Sequence, residues 1–355
     1  MTSAFLHRLP KIQLHCHLEG TLQVATFLEL AARHGVSTTY RPRADGAFAH
    51  AEVRSPPDRN AIYAFADFQE FLLTFAAVSR SLKEPPDYGR LATEYAADAI
   101  AQNVVYGELF ISPSVWLFFH PDLDVRACVR AIRDAFSAAY VRAGIELRLI
   151  FDLTRNFGLE SAMRTAKLAA GMTDLGVVGV GLGGDEARFP PQLFAEAFQY
   201  ARAHGLHAVV HAGEAAGACS VRDAVEVLHA ERIGHGVRAL EDSTVVEMLV
   251  RRKIPLEVCP TSNFLTGAAS RDAPHPLLAL DAAGAVITID ADDPALFDTS
   301  LTQELGYVAG LAGEPAVLRF TRNAVRASFA SRELKATMLA GLEPFGLELA
   351  RARRM

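Results

Sequence analysis

Cysteine pairs, long apolar runs and an excess of positive charge are all missing from this 355-residue chain. Its four cysteines, Cys16, Cys128, Cys219 and Cys259, include no CxxC pair, which argues against a disulfide scaffold and favours free thiols in a reducing compartment. No apolar stretch reaches the roughly 18 residues of a membrane helix, and the N-terminal segment lacks the continuous apolar core of a secretory signal. We therefore expect a soluble, cytoplasmic protein that has no membrane partner.

Charge and composition narrow the class further. The 41 acidic residues outnumber the 35 Lys and Arg and give a formal net charge of -6, so nucleic acid is not an expected partner. The 17 Pro and 25 Gly are near average, which argues against broad disorder. With 50% hydrophobic residues, the chain can bury one large core or two smaller ones. The composition leaves the oligomeric state open.

Apolar runs of strand length recur along the chain, with helical patterns between them. The eight runs are Ile12–His17, Val104–Ile111, Glu146–Asp152, Val177–Leu182, His207–His211, Arg232–His235, Ile254–Cys259 and Ala285–Asp290. Eight strands that alternate with helices predict an α/β fold, a (β/α)8 TIM barrel that forms a single domain over residues 1–355. A doubly wound open sheet is the alternative, but it leaves the polar residues at the ends of the runs unconnected.

Two regions fall outside this alternation. Residues 36–88 are too long for a simple crossover and contain a polar loop (37–59) followed by an aromatic helical pattern, Tyr63–Phe75. Because this insertion follows the first strand, we expect it to be a lid over the barrel mouth; the alternative is a helix of the outer ring. Residues 301–355 have helical patterns and are expected to pack against the outside of the barrel.

Titratable residues cluster at the ends of the apolar runs. The first run ends in His15-Cys-His17, whose two imidazoles lie on the same side of a strand. His211, His235 and the doublet Asp292-Asp293 end later runs or follow them closely, and in a barrel all these ends meet at one mouth. A lone His-x-His is weak evidence, but imidazoles that converge with a carboxylate suit zinc and leave room for a reactive water.

Six stretches, in this order, resemble the adenosine deaminase family of the amidohydrolase superfamily: Leu9–Leu22, Gly183–Glu186, His211–Glu214, Arg232–Gly236, Leu256–Asn263 and Asp292–Pro294. The resemblance implies one zinc ion per chain, and its ligands would be His15, His17, His211 and Asp292. Asp290 is the competing ligand, but the spacing to Pro294 favours Asp292.

The same resemblance assigns catalytic roles. Glu214 would protonate a purine ring nitrogen, His235 and Asp293 would orient and deprotonate the attacking water, and the Gly184 backbone would hydrogen-bond the purine. The chemistry of purine deamination independently needs such groups, since zinc lowers the pKa of water to about 7. Addition to C6 breaks the aromatic ring, so an acid must protonate the adjacent ring nitrogen, and that acid cannot also be a metal ligand.

Three departures from the family pattern concern the substrate. Glu19 stands where many adenosine deaminases have an Asp that touches the ribose, Gly181 stands where they often have Asp, and Asp290-Ala291 replaces Asn-Thr or Asn-Ser. Adenosine or deoxyadenosine is the leading expectation, and 6-aminodeoxyfutalosine and adenine are the alternatives.

The sequence Gly181-Leu-Gly-Gly-Asp185 resembles that of the aminodeoxyfutalosine branch of the family, whose substrate carries a carboxyphenyl ketone. A predicted loop, Ser114–Phe119, contains Trp116 and would receive the aryl group, and Arg155 or Arg188 would pair with the carboxylate. Alternatively, these aromatic residues pack under the insertion.

Two function classes compete with a purine deaminase. Amidohydrolases that cleave an amide, lactone or phosphoester often bind two metals through a modified lysine on the fourth strand, but Val177–Glu186 contains no Lys. A catalytically silent binding protein would lack a ligand or the acid, and every such residue is present here.

Overall fold

A computed structural model describes residues 3–42, 48–50 and 62–352 of the chain. Its main sheet has eight parallel strands in the order β1-β4-β5-β6-β7-β8-β9-β10. The ring closes where the His17 amide donates to the Asp292 carbonyl and the Asp292 amide donates to the His15 carbonyl, beside a parallel bridge between Cys16 and Asp292. The predicted TIM barrel is thus confirmed.

The strands lie within two residues of the predicted runs at each end. The ten strands, including a two-stranded antiparallel pair in the insertion, are β1 Lys11–His17, β2 Tyr40–Pro42, β3 Phe48–His50, β4 Val104–Ile111, β5 Glu146–Thr154, β6 Val177–Gly183, β7 His207–Ala212, β8 Arg232–His235, β9 Pro255–Val258 and β10 Val286–Ile289. Every residue of β1 is buried, as is usual for a parallel strand covered by helices on one side and by the barrel core on the other.

Helices surround the barrel on the outside and extend its mouth. Their bounds are α1 Ala4–Arg8, α2 Val24–His34, α3 Phe68–Ser81, α4 Pro85–Ala101, α5 Pro113–Phe119, α6 Val125–Ala143, α7 Gly158–Ala170, α8 Ala195–Ala203, α9 Ala218–Glu226, α10 Ser243–Arg252, α11 Pro260–Leu265, α12 Leu277–Ala282, α13 Leu301–Ala312, α14 Glu314–Ala327 and α15 Arg332–Ala352. Among the described residues, no helix is both long enough and apolar enough to cross a membrane.

The insertion differs from its prediction in two details. The aromatic helix α3 begins at Phe68 rather than Tyr63, because the Asp67 carboxylate accepts a hydrogen bond from the Glu70 amide and caps the helix there. Before α3, the Tyr63 hydroxyl donates to the Leu22 carbonyl, which anchors the start of this segment to the chain that follows β1. Residues 43–47 and 51–59 of the predicted polar loop lie outside the described residues.

The segment after β4 is a helix and not the predicted loop. Pro113 occupies the first turn of α5, where its missing N–H costs no hydrogen bond, so the same proline that ends the strand starts the helix. At the other end of the chain, α13, α14 and α15 are helical as expected, and α14 packs against β10 and β1 on the outside of the barrel. Residues 353–355 lie outside the described residues.

Candidate active site

Three imidazoles and a carboxylate from distant parts of the chain converge at the mouth of the barrel. His15 and His17 come from the end of β1, His211 from β7, and Asp292 follows β10. The Nε2 atoms of His17 and His211 are 3.2 Å apart. Asp292 Oδ1 lies 3.5 Å from both His15 Nε2 and His17 Nε2. The structure therefore brings the four predicted ligands together.

This donor set fits a zinc ion. Two ligand atoms that each lie about 2.1 Å from a tetrahedral zinc are roughly 3.4 Å apart, close to the separations between these side-chain atoms. Burial lowers the pKa of His17 to about 3 and holds the pKa of His211 well below its usual value, so both rings are neutral and each has a lone pair to give. The Nε2 atom of the third imidazole, His15, is buried and has no hydrogen-bond partner among the described residues, as expected for an atom that would bind a cation.

A buried carboxylate orients the first ligand. Glu257 Oε2 lies 2.7 Å from His15 Nδ1, which directs Nε2 toward the metal position. Arg232 holds the other Glu257 oxygen at 2.5 Å and pairs with Glu108 at 2.5 Å, and all four side chains are buried. Burial favours the neutral acid, but Arg232 and His15 hold the pKa of Glu257 below its usual value. Sequence reasoning gave Glu257 no role, although a charged residue inside an apolar run was a signal.

Glu214 lies on the loop after β7 and faces the same cavity. Burial, reinforced by the charges of Asp292 and Glu186, raises its pKa to about 8, so the side chain carries a proton at neutral pH. The loop is fixed by Glu186, whose carboxylate accepts hydrogen bonds from the backbone amides of four consecutive residues, Gly213, Glu214, Ala215 and Ala216. A protonated carboxyl on a rigid loop suits a general acid.

His235 and Asp293 complete the polar end of the cavity. The Nε2 atom of His235 is 3.5 Å from Glu214 Oε2 and 3.9 Å from Asp292 Oδ2, and its Nδ1 meets the Asn263 side-chain amide at 3.0 Å. Both His235 and Asp292 have positive φ, near +61° and +62°, an uncommon backbone conformation that often marks functional sites. Burial and the neighbouring Asp292 charge raise the pKa of Asp293 well above its usual value.

The close approach of Asp293 to the turn that follows β1 depends on a glycine. A Cβ atom at Gly20 would lie 1.8 Å from the Asp293 carboxylate, so a side chain at that position would displace it.

His17, His211, Asp292 and Glu214 line a cavity of about 520 Å³. Its outer wall is mostly aromatic and comes from α3, α5 and the segment before α7: Phe68, Phe71, Phe75, Phe118, Phe119 and Phe157. A few polar residues also line it, namely Gln69, Asp152, Thr154, Asn156 and Arg188. The cavity thus has a charged inner end and an apolar outer part.

Of the five predicted substrate-binding residues, two line this cavity. Gly184 has φ near +93°, and a Cβ atom there would lie 2.4 Å from Asn156 Oδ1, so only glycine suits the position. Arg188 lies at the rim with its side chain 65% exposed, and its Nε donates to Asp185 at 2.6 Å.

The other three lie behind the cavity wall, contrary to prediction. Trp116 is fully buried, and its Nε1 donates to Glu19 Oε1 at 2.7 Å. Arg155 is also buried and donates to the carbonyls of Phe189 and His211 at 2.7 and 2.6 Å. In this structure these side chains support the wall from behind, because the hydrogen bonds that they donate go to each other or to neighbouring backbone carbonyls.

Comparison with known proteins places the chain in a defined group. The family model described as adenosine deaminase matches residues 10–344. The aminodeoxyfutalosine deaminase of Streptomyces coelicolor is 38% identical over 333 residues, which cover 92% of this chain and 81% of that protein. The crystal structure of adenine deaminase from Arthrobacter aurescens superposes with a TM-score of 0.85 at 29% identity, covering 95% of this chain and 99% of the other.

A zinc-containing structure is also similar. An amidohydrolase from Burkholderia ambifaria with bound zinc superposes with a TM-score of 0.83 at 27% identity, covering 98% of this chain and 93% of that chain.

Proposed function

Because this chain belongs to the adenosine deaminase family, we propose that it is a zinc-dependent hydrolase that removes the 6-amino group of an adenine-ring nucleoside and releases ammonia. The observation that carries this proposal is the convergence of His15, His17, His211 and Asp292, the last three of which line a cavity together with Glu214. In this proposal those four side chains hold the metal.

A zinc ion held by these residues would lower the pKa of water to about 7. His235 and Asp293 would orient the attacking water and accept its proton as the water oxygen bonds to C6. Glu214 donates a proton to the adjacent ring nitrogen, which accommodates the electron pair displaced from the ring. The proton taken from the water would then pass to the amino nitrogen, so that the C6–N bond breaks and ammonia leaves. The C6 hydroxyl would give up its proton to restore Glu214, and the ring becomes an oxo-purine. The buried Glu257 and Glu186 hold the reacting groups in place.

The cavity favours a nucleoside that has a large apolar substituent. Six phenylalanine rings line the cavity, and adenine alone would leave part of this aromatic surface to water. The Phe118 and Phe157 rings stack at 5.0 Å on this wall, and Arg188 lies at its rim. An aryl group that ends in a carboxylate would pack on the aromatic wall and pair with Arg188. We therefore rank 6-aminodeoxyfutalosine ahead of adenosine, although adenosine was the leading expectation from the sequence.

Adenine is the second candidate, favoured by the structural similarity to an adenine deaminase. Steady-state kinetics with aminodeoxyfutalosine, adenosine, deoxyadenosine and adenine separate these substrates. We expect the largest kcat/KM for aminodeoxyfutalosine; faster turnover of free adenine than of any nucleoside would reject the nucleoside proposal.

Metal dependence is tested on the same preparation. Purified protein should contain about one zinc per chain, and His211→Ala should lose both the metal and the activity, because it removes one of three imidazole ligands. Full deaminase activity in protein stripped of all metal would reject the zinc mechanism.

A further inference from the structure

Asp152 is a buried carboxyl group in the cavity with no role in the proposed mechanism. It lies on β5, is 4% exposed and lines the cavity. Its Oδ1 atom has no hydrogen-bond partner among the described residues. We propose that Asp152 is a specificity-determining residue that accepts a hydrogen bond from the 2′-hydroxyl of a bound ribonucleoside. This inference rests on the proposed function, because it requires a nucleoside substrate.

The neighbouring strand is shaped to accommodate this side chain. A Cβ atom at Gly181 would lie 2.8 Å from Asp152 Oδ1 and 2.7 Å from the Phe110 ring, and one at Gly183 would lie 2.4 Å from Asp152 Oδ2. Any larger residue at either glycine would therefore displace the carboxyl group.

The protein itself leaves one carboxyl oxygen of Asp152 without a hydrogen-bond partner among the described residues. The charge of the nearby Arg155 attracts that of Asp152, but the Arg155 guanidinium donates its hydrogen bonds to two backbone carbonyls. Burial, together with the Glu19 charge, raises the pKa of Asp152 to about 7, which reflects the poor solvation of the charged form. A buried polar atom without a partner is unfavourable, and an apolar side chain would fill the same space without that cost. A ligand hydroxyl supplies the missing partner.

The order of the strands indicates which part of the substrate Asp152 meets. Neighbouring strands β5, β6 and β7 carry or precede Asp152, Gly184 and Glu214 respectively. A purine with N1 at Glu214 and N3 at the Gly184 amide turns its N9 side toward β5. The sugar begins at N9, and the 2′-hydroxyl is the sugar hydroxyl nearest the ring on the N3 side. Asp152 therefore faces the sugar and not the reacting carbon.

The test compares matched ligands in wild type and in Asp152→Ala. We measure kcat/KM for adenosine and 2′-deoxyadenosine, and inhibition constants for purine riboside and its 2′-deoxy analogue against the best substrate. Wild type should prefer the ribo form by roughly 10-fold or more, as expected for a hydrogen bond to a buried carboxyl. In the variant this preference should fall to about one, mainly through KM, while zinc content stays unchanged.

An equal loss for the ribo and deoxy forms, with the preference intact, would overturn the assignment and leave Asp152 a structural residue. Asp152→Asn, which keeps one carbonyl oxygen as an acceptor, should retain an intermediate preference, and Asp152→Leu replaces Ala if the smaller side chain prevents folding. Wild-type substrate ranking alone decides the proposed function, whereas the change in ribo-to-deoxy preference alone decides the role of Asp152.

Discussion

The inner and outer parts of the cavity are built in different ways. At the inner end, directional contacts fix each reacting group: Glu257 holds His15, Asn263 meets His235, and Glu186 fixes the loop of Glu214. The side chains of Glu257, Asn263 and Glu186 are buried, so water does not compete for their hydrogen bonds. Reactions that transfer protons need this placement, because catalytic groups act only within hydrogen-bond reach.

The outer part is held by ring contacts, which have weaker directional preferences. Phe71 of α3 packs against Phe297 with ring centroids 5.0 Å apart, and Phe118 is 44% exposed. A hydrogen bond links α3 to the segment after β6, where Gln69 donates to Asp185 at 3.3 Å. Apolar walls of this kind accommodate ligands of different shape. The contrast indicates that the inner end sets the reaction and the outer wall sets the substrate.

The strongest test of this contrast is Glu214→Gln. The amide has nearly the same shape but cannot cycle a proton, so kcat should fall by about 10²–10⁴-fold for every substrate while the metal stays bound. Kinetics and metal analysis of the same sample provide the measurement. A variant that keeps near-normal kcat would remove Glu214 from the mechanism.

A smaller effect is expected at Glu257, which contacts the predicted ligand His15 and would not touch the metal itself. Glu257→Gln weakens the hold on His15 Nδ1 and should reduce zinc affinity by about 10–100-fold, measured by competition with a chelator. Glu304→Gln is the matched control, since Glu304 is also a buried carboxylate but accepts hydrogen bonds from Thr261 and Thr299 instead. Equal zinc affinity in the two variants would show that the Glu257 contact is not needed to orient the ligand.

The outer wall should respond selectively. Arg188→Ala should raise KM for aminodeoxyfutalosine by roughly fivefold and leave adenosine nearly unchanged, because an exposed ion pair contributes at most about 1 kcal/mol. Arg126→Ala, which removes an exposed arginine paired with Asp174 on the outside of the barrel, is the control. If KM rises equally for both substrates, Arg188 does not bind the carboxylate.

The smallest effect concerns motion of the insertion. We predict that α3 closes over bound ligand, since its wall contacts are mostly apolar and a closed site excludes water. Amide hydrogen exchange in Phe68–Ser81 should slow when a purine riboside inhibitor binds. Protection at the strand ends without any change in α3 would mean that the helix is a fixed wall and not a lid.

Much of the fold and the inner end of the cavity could be predicted from the sequence. Strand runs have a length and composition that do not depend on distant residues, so all eight barrel strands were found within two residues. The convergence of His15, His17, His211 and Asp292 could be expected because a closed parallel barrel brings the ends of its strands to one mouth. The order of the motifs along the chain then indicated a deaminase.

Only the tertiary structure decided which side chains face the substrate. Trp116 and Arg155 were expected in the cavity but lie behind its wall, whereas Asp152, which drew no attention in the sequence, lines it. The local sequence pattern predicts that a residue lies at a strand end. It does not predict whether the side chain of that residue points into the cavity or away from it. That choice depends on partners distant in sequence, such as Glu19 for Trp116 and the glycines of β6 for Asp152. The deaminase family was therefore readable from the sequence alone, but the side chains that line the cavity were not.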